Sequence, residues 1–415
     1  MKNIAVKTGG CTDWNDCGTL NGKTVLLGVT GSIAAYKIAS LASMLVKSHA
    51  NVHVIMTKNA TNFIHPITFE SLTGNKCLVD TFDRNFEFQV EHVSIAKQAD
   101  LALVAPASAN VIGKMAHGIA DDMLTTTLLA CRAPVLVSPA MNTNMYENQI
   151  VQDNLKTLKS YGVRVIEPAT GYLACGDTGA GKMPDPEVLF SHIEAEIACE
   201  KDFAGKRLLV SAGATQEALD PVRYLTNHST GKMGYAIAKA AMLRGAQVTL
   251  VSGQTNLMPP LFVETVPVVS AQDMFEAVSR RFTETDILIM AAAVADYRPR
   301  EFAEQKIKKK EGEPSLALAR TVDILGTLAP GKRPEQFVCG FSMETEQLIE
   351  NSAAKLKKKN LDLIVANNLR TKGAGFGTDT NVVTLIDGAG VRELPVMSKL
   401  AVAHRVLDEI ISHIS

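Results

Sequence analysis

Residues 207–234 read RLLVSAGATQEALDPVRYLTNHSTGKMG, an apolar strand-like run that opens into small residues and ends before an alanine-rich helical stretch. Small residues, amide side chains and one cation, Lys232, gather where a strand becomes a helix. In α/β proteins such a turn holds phosphate, because backbone N–H groups and the helix dipole point at the anion and glycine lets it approach. The pattern is not a literal P-loop, since Met233 stands where Ser or Thr would follow Gly-Lys. It predicts a nucleotide or phosphate site of another type, with an ordinary glycine-rich turn as the alternative.

The same opening occurs twice in the chain. Residues 22–56 read as a strand, a glycine-containing turn, a helix over Ile33–Lys47 and a second strand. Residues 205–251 repeat this order around a helix over Met233–Arg244. Each opening is a βαβ unit, and such units build open parallel sheets whose ligands bind at the carboxyl ends of the strands. We therefore predict an α/β protein with two doubly wound parallel-sheet domains.

The stretch Phe190–Ala204, which is predicted to be a helix running into a charged turn, separates the two halves. We expect an N-terminal extension over residues 1–21, a first domain over 22–200 and a second over 201–415. Further apolar runs predict strands, and the last helix is expected over Pro395–Ile414. The predicted strands are Leu101–Ala105, Pro134–Ser138, Val163–Ile166, Phe262–Val269, Asp286–Ala291, Gln336–Phe341, Leu361–Val365 and Val382–Ile386, and two further helices are predicted over Asp121–Ala130 and Asn148–Ser160.

Composition limits the possible functions. The 415 residues are enough for two domains with separate cores, and 42 basic against 43 acidic residues imply no extended cationic face for nucleic acid. No apolar run approaches the roughly 20 residues of a membrane span, and the first 20 residues lack the apolar core of a secretory signal. Seven cysteines, an odd number, favour reduced thiols, with Cys11 and Cys17 read as unpaired thiols rather than metal ligands. These features predict a cytoplasmic protein without a membrane partner.

Four clusters in the first half follow predicted strands, where a ligand site is expected. They are GVTGSIAAYK at 28–37, APASAN at 105–110, SPAMNTNM at 138–145 and the glycine-rich ACGDTGAGKM at 174–183. Each alone is a weak signal; the first only loosely resembles a dinucleotide-binding fingerprint. A histidine, His92, lies in the segment VEHVS between two predicted elements.

Together these motifs resemble a known family. The first half is similar to the flavin-dependent cysteine decarboxylases and the second half to phosphopantothenate–cysteine ligases. From about Lys23 to the C-terminus, the order of motifs resembles the bacterial bifunctional coenzyme A biosynthesis proteins, in which phosphopantothenoylcysteine decarboxylase is fused to the ligase. The resemblance implies a flavodoxin-like first domain and a Rossmann-like second domain.

For the first half, the resemblance implies decarboxylation of 4′-phosphopantothenoylcysteine to 4′-phosphopantetheine with bound FMN. His92 corresponds to the active-site histidine, whose imidazole suits general base work near neutrality. Asn142 corresponds to the asparagine that holds the substrate carboxylate, although an Asn at this place is also a common helix cap. Cys175 corresponds to the flap cysteine that protonates the enethiolate intermediate. The expected FMN contacts are Gly31, Ser32, Ala34, Ser108, Asn110 and Met141.

For the second half, the resemblance implies that CTP activates 4′-phosphopantothenate as an acyl-cytidylate, which the amine of cysteine then attacks. Asn227 corresponds to the residue that contacts this intermediate, and Lys306 to the lysine required to form it. The segment RTVDIL at 320–325 departs from the usual Asn-Pro-Asp-Ile pattern, so only Asp323 and Ile324 are carried over from it. The expected CTP and substrate contacts are Ala291, Ala292, Asp296, Lys306, Asp323, Ile324, Phe341, Lys355 and Lys359.

The resemblance also implies Mg²⁺ with the polyanionic substrates, although the sequence assigns no metal ligands. It implies a homo-oligomer with trimeric decarboxylase contacts and dimeric ligase contacts, up to a dodecamer. Two alternatives remain open at this point. One is a flavin-binding regulatory protein of the same fold, and the other is a different flavin-dependent decarboxylase or nicotinamide dehydrogenase.

Overall fold

The chain divides into two compact units, Met1–Cys199 and Glu200–Ser415. The structure is a computed structural model that describes residues 19–81, 91–172, 176, 178–308, 315–344, 347–368, 375 and 377–414. Cys11 and Cys17, which were predicted to be unpaired thiols, and the predicted flap residue Cys175 lie outside the described residues.

The first unit contains a five-stranded parallel sheet and an antiparallel hairpin. The sheet order β2-β1-β3-β4-β5 is the flavodoxin-like order, in which ligands bind where the strand order reverses. The strands are β1 (Thr24–Val29), β2 (Asn51–Met56), β3 (Leu101–Ala107), β4 (Val135–Pro139) and β5 (Arg164–Val165), followed by the hairpin strands β6 (Ala169–Tyr172) and β7 (Thr178–Lys182). The helices are α1 (Tyr36–Lys47), α2 (Pro66–Thr73), α3 (Glu91–Gln98), α4 (Ala109–His117), α5 (Met123–Ala130), α6 (Thr143–Glu147), α7 (Gln149–Ser160) and α8 (Pro186–Ile197).

Strand β1 shows why this sheet is buried on both sides. Its sequence TVLLGV is apolar throughout, as expected for a central parallel strand rather than one with a solvated face. Val25 and Leu27 pack in one core cluster with residues of α1 and α8. Leu26 packs in a second cluster with residues of α4, α5 and α7. The helices therefore cover both faces, and only the edges and strand ends remain for a ligand.

The second unit is built on an eight-stranded sheet, β12-β11-β8-β13-β16-β17-β19-β20. Its first six strands follow the Rossmann order and are parallel. The strands are β8 (Arg207–Ala212), β9 (Gln216–Ala218), β10 (Tyr224–Thr226), β11 (Gln247–Ser252), β12 (Glu264–Pro267), β13 (Ile287–Met290), β14 (Tyr297–Pro299), β15 (Leu318–Arg320), β16 (Phe337–Glu344), β17 (Leu363–Asn368), β18 (Thr380–Asn381), β19 (Val383–Asp387), β20 (Val391–Glu393) and β21 (Met397–Ser398). The helices are α9 (Lys232–Leu243), α10 (Ala271–Phe282), α11 (Ile324–Leu328), α12 (Leu348–Lys358) and α13 (Lys399–Ile414).

These two sheets confirm the predicted fold class of both halves. One difference is that β19 and β20 are antiparallel, β19 to β17 and β20 to β19. The carboxylate of Asp387 accepts hydrogen bonds from the backbone N–H groups of Ala389 and Gly390, both 2.8 Å, which closes the tight turn between β19 and β20. Antiparallel strands at the edge of a parallel sheet are common, and hydrophobic periodicity carries no information on strand direction.

Two helix boundaries also differ from those expected. The helix predicted over Phe190–Ala204 spans Pro186–Ile197, because Pro186 is suited to the first helical turn, where its missing N–H costs nothing. The last helix begins at Lys399 rather than Pro395. Among the described residues, no helix is both long and apolar enough to cross a bilayer.

Candidate active sites

The turn after β1 carries the first predicted flavin contacts. Ser32 precedes a short 3-10 helix, and its hydroxyl accepts a hydrogen bond of 3.3 Å from the N–H of Ala34. A Cβ at Gly31 would lie 2.8 Å from the Cβ of Asn59, so a larger residue does not fit without a shift. This turn is therefore a close backbone surface of the kind that lets a phosphate-bearing cofactor approach.

Thr30 joins this turn to the one after β3. Its side chain is fully buried, donates a hydrogen bond of 2.6 Å to the carbonyl oxygen of Pro106, and accepts one of 3.0 Å from the N–H of Ser108. Ser108 in turn caps α4, and Asn110 lies exposed in its first turn. The hydrogen bonds of Thr30 thus bring two groups of predicted contacts to the same end of the sheet.

The third predicted cluster meets the β6–β7 hairpin. The N–H of Met141 donates a hydrogen bond of 3.1 Å to the carbonyl oxygen of Gly181 in β7. A Cβ at Gly179 would lie 2.6 Å from Oγ1 of Thr143. The hairpin whose loop contains Cys175 therefore packs directly against the loop that contains Asn142.

Asn142 has the capping role that its sequence context allowed. Its Oδ1 accepts a hydrogen bond of 2.9 Å from the N–H of Asn144, at the start of α6. The side chain is half-buried, and capping fixes its orientation beside the hairpin. The cap and a substrate contact are compatible, since an amide side chain has two ends. His92 is the second residue of α3 and is also half-buried.

Unpaired polar atoms in the first unit point to a missing polar ligand. The hydroxyls of Thr57, Ser138 and Thr143 are buried without a hydrogen-bond partner in the described part of the chain. Thr57 directly follows β2, Ser138 lies near the end of β4, and Thr143 follows Asn142. Buried hydroxyls are normally paired, so a group rich in donors and acceptors fits this end of the sheet.

The second unit contains a cavity of about 690 Å³ at the carboxyl ends of β8, β13, β16 and β17. These strands are neighbours in the sheet, so the segments that follow them converge although they are distant in sequence. The cavity collects nine of the residues predicted for the second half. They are Asn227, Ala291, Ala292, Asp296, Asp323, Ile324, Phe341, Lys355 and Lys359.

The C-terminal part of the glycine-rich segment, from Asn227 to Met233, forms one wall of this cavity. Gly231 is the N-cap of α9, has φ of +81° and provides no capping side chain. A Cβ there would lie 3.2 Å from the N atom of Gly213, so glycine is required both for the left-handed backbone and for close packing. The start of α9 therefore presents N–H groups and the positive end of its dipole toward the cavity.

Hydrogen bonds fix the side chains of Asn227 and Asp323. The Nδ2 of Asn227 donates to the carbonyl oxygen of Ala293 over 3.1 Å. Asp323 caps α11, and its Oδ1 lies 2.8 Å from the Nζ of Lys359. Burial alone would raise the pKa of Asp323, but the hydrogen bonds from Lys359 and from the N–H of Gly326 hold that pKa below its ordinary value.

Two lysines outside the expected CTP and substrate contacts add positive charge to the cavity: Lys232, the cation of the predicted phosphate-binding turn, and Lys399, which was not predicted. The Nζ of Lys232 donates to Asp379 over 2.8 Å and to the carbonyl oxygen of Gly377 over 2.9 Å. Lys399 is 6% exposed at the start of α13, and its Nζ donates to the carbonyl oxygens of Gly375, over 3.1 Å, and Thr378. Burial and the charge of Lys232 lower the pKa of Lys399, while Asp379 opposes that shift.

Lys306 is the predicted residue that does not line the cavity. It is exposed, and the next residue is fixed by Asp220, whose carboxylate accepts a hydrogen bond of 3.1 Å from the N–H of Ile307. Arg223 pairs with the same carboxylate and lowers the pKa of Asp220 well below its ordinary range, against the effect of its desolvation. The segment that carries Lys306 is thus anchored to the loop before Asn227, on the side of the glycine-rich turn.

Comparisons with known proteins agree with this division. Residues 15–198 match the family described as Flavoprotein, and residues 203–414 match the DNA/pantothenate metabolism flavoprotein C-terminal domain. The first unit is therefore a flavoprotein domain, and the second is a DNA/pantothenate metabolism flavoprotein C-terminal domain.

Full-length relatives identify the family. The chain is 49% identical over 395 residues to the coenzyme A biosynthesis bifunctional protein CoaBC of Bacillus subtilis (strain 168), covering 94% of this chain and 97% of the relative. It is 44% identical over 394 residues to CoaBC of Vibrio vulnificus (strain YJ016), covering 94% of this chain and 98% of the relative. The chain belongs to the family of coenzyme A biosynthesis bifunctional proteins, as its motifs predicted.

Solved structures resemble each half separately. The C-terminal domain of a coenzyme A biosynthesis bifunctional protein CoaBC is 44% identical, covers 52% of this chain and 98% of its own, and has a TM-score of 0.45. A PPC decarboxylase mutant complexed with pantothenoylaminoethenethiol is 30% identical, covers 41% of this chain and 96% of its own, and has a TM-score of 0.37.

Proposed function

We propose that the second unit joins cysteine to 4′-phosphopantothenate with CTP and that the first unit decarboxylates the product to 4′-phosphopantetheine with FMN. The chain is a bifunctional enzyme of coenzyme A biosynthesis with decarboxylase and ligase activities. The proposal concerns the nucleotide, the cofactor and the roles of individual residues. The observation that carries it is the cavity that collects nine predicted residues around the start of α9.

The ligase reaction needs activation because a carboxylate does not react with an amine at neutral pH. The carboxylate of phosphopantothenate attacks the α-phosphorus of CTP, pyrophosphate leaves, and the acyl-cytidylate forms. The positive end of α9 with Lys232, Lys355 and Lys359 supports the binding of these polyanions, and Mg²⁺ would share their charge. We assign Asn227 to binding the acyl-cytidylate and Lys306 to the step that forms it. Because Lys306 does not line the cavity, this role requires its segment to move toward the cavity.

For the decarboxylase, FMN fits the close turn at Gly31 and the unpaired hydroxyls at the carboxyl end of the first sheet. Ser32, Ala34, Ser108, Asn110 and Met141 would hold it with Gly31. When bound, FMN supplies reversible two-electron chemistry, which gives the decarboxylation an electron sink. Asn142 would orient the substrate carboxylate, His92 would act as the general base, and Cys175 would deliver a proton to the enethiolate.

The assembly and location are also part of the proposal. We expect a cytoplasmic homo-oligomer with trimeric contacts in the decarboxylase half and dimeric contacts in the ligase half. Sedimentation of the purified protein as a monomer would contradict the oligomer.

The decisive test mixes the purified protein with 4′-phosphopantothenate, cysteine and either CTP or ATP. We expect pyrophosphate release with CTP and formation of 4′-phosphopantetheine by a yellow protein. Cys175→Ser should block the last reduction, and with it the formation of 4′-phosphopantetheine, while ligation is spared. Lys306→Ala should block ligation and spare the decarboxylase half. A preparation that releases no pyrophosphate with CTP would exclude the ligase assignment.

A further inference from the structure

Asn367, near the end of β17, has an unpaired buried acceptor in the wall of the second-unit cavity. The residue is 7% exposed, and its Oδ1 has no hydrogen-bond partner among the described residues. An unpaired amide oxygen inside a protein is costly, because it has lost its water and gained nothing in exchange. A cavity wall that retains one is suited to a ligand that brings a hydrogen-bond donor.

The cavity has three walls that differ in the chemistry they offer. The segments 291–296 and 321–325 with α12 form the wall predicted to bind CTP, and Asn227–Met233 forms the wall with the phosphate-binding helix start. The third wall consists of Asn367 in β17, Gly375 between β17 and β18, Asn381 in β18 and Lys399 at the start of α13. No expected CTP contact lies on this third wall, yet ligation requires a third substrate.

The third wall combines a positive charge with an acceptor. The ammonium group of Lys399 donates to the carbonyl oxygens of Gly375 and Thr378. Lys232, which also lines the cavity, lies near enough to act on Lys399 and pairs with Asp379 over 2.8 Å. Two lysines face one carboxylate here, so positive charge predominates. An anionic group is therefore attracted to this wall, while Asn367 requires a donor. A small zwitterion, with a carboxylate and an amino group, satisfies both demands.

We propose that the third wall binds the amino-acid substrate of the ligase, with the carboxamide oxygen of Asn367 accepting a hydrogen bond from the amino group and Lys399 attracting the carboxylate. This rests on the proposed ligase reaction and assigns cysteine a site within it. A phosphate group does not fit the same role, because it offers no donor to an amide oxygen when ionised. Rotation of the terminal Asn367 torsion, which is soft, would turn the oxygen from the wall toward the ligand.

In the reaction, the amino nitrogen attacks the acyl carbon of the cytidylate. The C–N bond forms as the bond from that carbon to the phosphate oxygen breaks, and CMP leaves with the electron pair. The ammonium group of cysteine loses two protons to solvent over the whole step, one before attack and one after it. Asn367 remains neutral throughout and serves to bind and orient the amine.

The test uses the full-length protein and compares Asn367→Leu, Asn367→Asp and the wild type. Two reactions are followed: pyrophosphate release in a single turnover with CTP and phosphopantothenate but no cysteine, and amide formation as cysteine is varied. We expect Asn367→Leu to raise the KM for cysteine by about tenfold or more, with pyrophosphate release and the KM for CTP changed less than about twofold. Asn367→Asp retains an acceptor and should stay within about threefold of the wild-type KM for cysteine.

The leucine variant also separates binding from folding. Replacing an unpaired buried amide by an apolar group of similar size should leave the melting temperature unchanged or raise it, whereas a structural role predicts a lower one. Asn256→Leu, at an exposed position that does not line the cavity, is the matched control. An unchanged KM for cysteine in Asn367→Leu, or an equal rise in the KM for CTP, would overturn the proposal. Failure of the wild type to release pyrophosphate would instead refute the ligase reaction itself.

Discussion

The backbone N–H of Met141 donates a 3.1 Å hydrogen bond to the carbonyl oxygen of Gly181, and this bond seats strand β7 against the Asn142 loop. Gly181 has φ of +123°, and a Cβ there would collide with the carbonyl oxygen of Met141. We predict that Gly181→Ala displaces the hairpin and lowers the decarboxylation rate by about 100-fold, as expected when a reacting group is misplaced by about 1 Å. Ligation, measured by pyrophosphate release, should be unaffected.

The control for this variant is Gly162→Ala. Gly162 also has a left-handed φ, +87°, but a Cβ there would meet nothing within 4 Å. The Gly162→Ala variant therefore introduces backbone strain at a left-handed position without a steric collision. Equal loss of decarboxylation in both variants would show that the contact with Met141 is not responsible.

Helix α12 offers a matched pair of lysine variants for the CTP site. Lys355 and Lys359, the C-cap of α12, are four residues apart and line the cavity, whereas Lys357 and Lys358 do not line it. We predict that alanine at 355 or 359 raises the KM for CTP by about tenfold, because each removes a positive charge from a polyphosphate site. Alanine at 357 or 358 should change it less than about twofold, and comparable effects in both pairs would argue against the CTP assignment.

Arg244 is a buried cation that joins three parts of the second unit. It is 5% exposed, stacks at 4.8 Å over the ring of Phe203, and pairs with Asp202 and with Asp408 of α13. We predict that Arg244→Met lowers the free energy of unfolding by about 3 kcal/mol, since Asp202 loses its arginine partner and Asp408 keeps only the more distant Arg405, at 3.7 Å. Chemical denaturation followed by circular dichroism measures this change.

Arg280 supplies the comparison for Arg244. Its side chain is 75% exposed and pairs with Glu276 one turn earlier on α10. Arg280→Met should change the free energy of unfolding by less than about 0.5 kcal/mol, as is typical of exposed pairs. A similar decrease in the free energy of unfolding in both variants would mean that the buried ion pairs of Arg244 stabilise the protein no more than an exposed pair does.

His404 makes the second unit sensitive to acid. Burial, reinforced by the charge of Arg244, lowers the pKa of His404 to about 3. The unfolded chain binds a proton near pH 6.5 and the folded chain does not, so stability falls as the pH decreases from about 6.5 toward 3. Between pH 7 and pH 5 this residue alone should lower the free energy of unfolding by about 2 kcal/mol.

Substitution tests this acid sensitivity directly. His404→Gln removes the titrating group, so its free energy of unfolding should depend less on pH between 7 and 5 than that of the wild type. Parallel pH profiles for wild type and His404→Gln would contradict the lowered pKa.

The sequence predicted the central strands well, because uninterrupted apolar runs are typical of buried parallel strands. Strand β8 begins at Arg207 as expected, and β17 covers the C-terminal part of the predicted run Leu361–Val365 and extends to Asn368. The direction of β19 was missed, because hydrophobic periodicity is the same for parallel and antiparallel strands. The helix before residue 200 was misplaced because the Pro186 start signal was not used.

Site prediction depended mostly on motifs that resembled known relatives. Asn367 and Lys399 were missed because their relevance comes from the convergence of distant segments, not from local spacing. A local signal did exist for Asn367, since a polar residue at the carboxyl end of the apolar run LDLIVANN marks the ligand edge of a parallel sheet. For Lys399 the sequence offers only a lysine before an amphipathic helix, which is typical of solvated surfaces.

Strand β20 is the outermost strand of the second sheet, and all three of its residues are exposed. Two of them, Arg392 and Glu393, carry charge, and the strand is too short to offer a long row of unpaired backbone groups. Short, charged margins of this kind discourage the edge-to-edge pairing that leads to aggregates. The antiparallel turn at Asp387 therefore does more than complete the sheet: it gives this α/β layer a margin that resists uncontrolled growth.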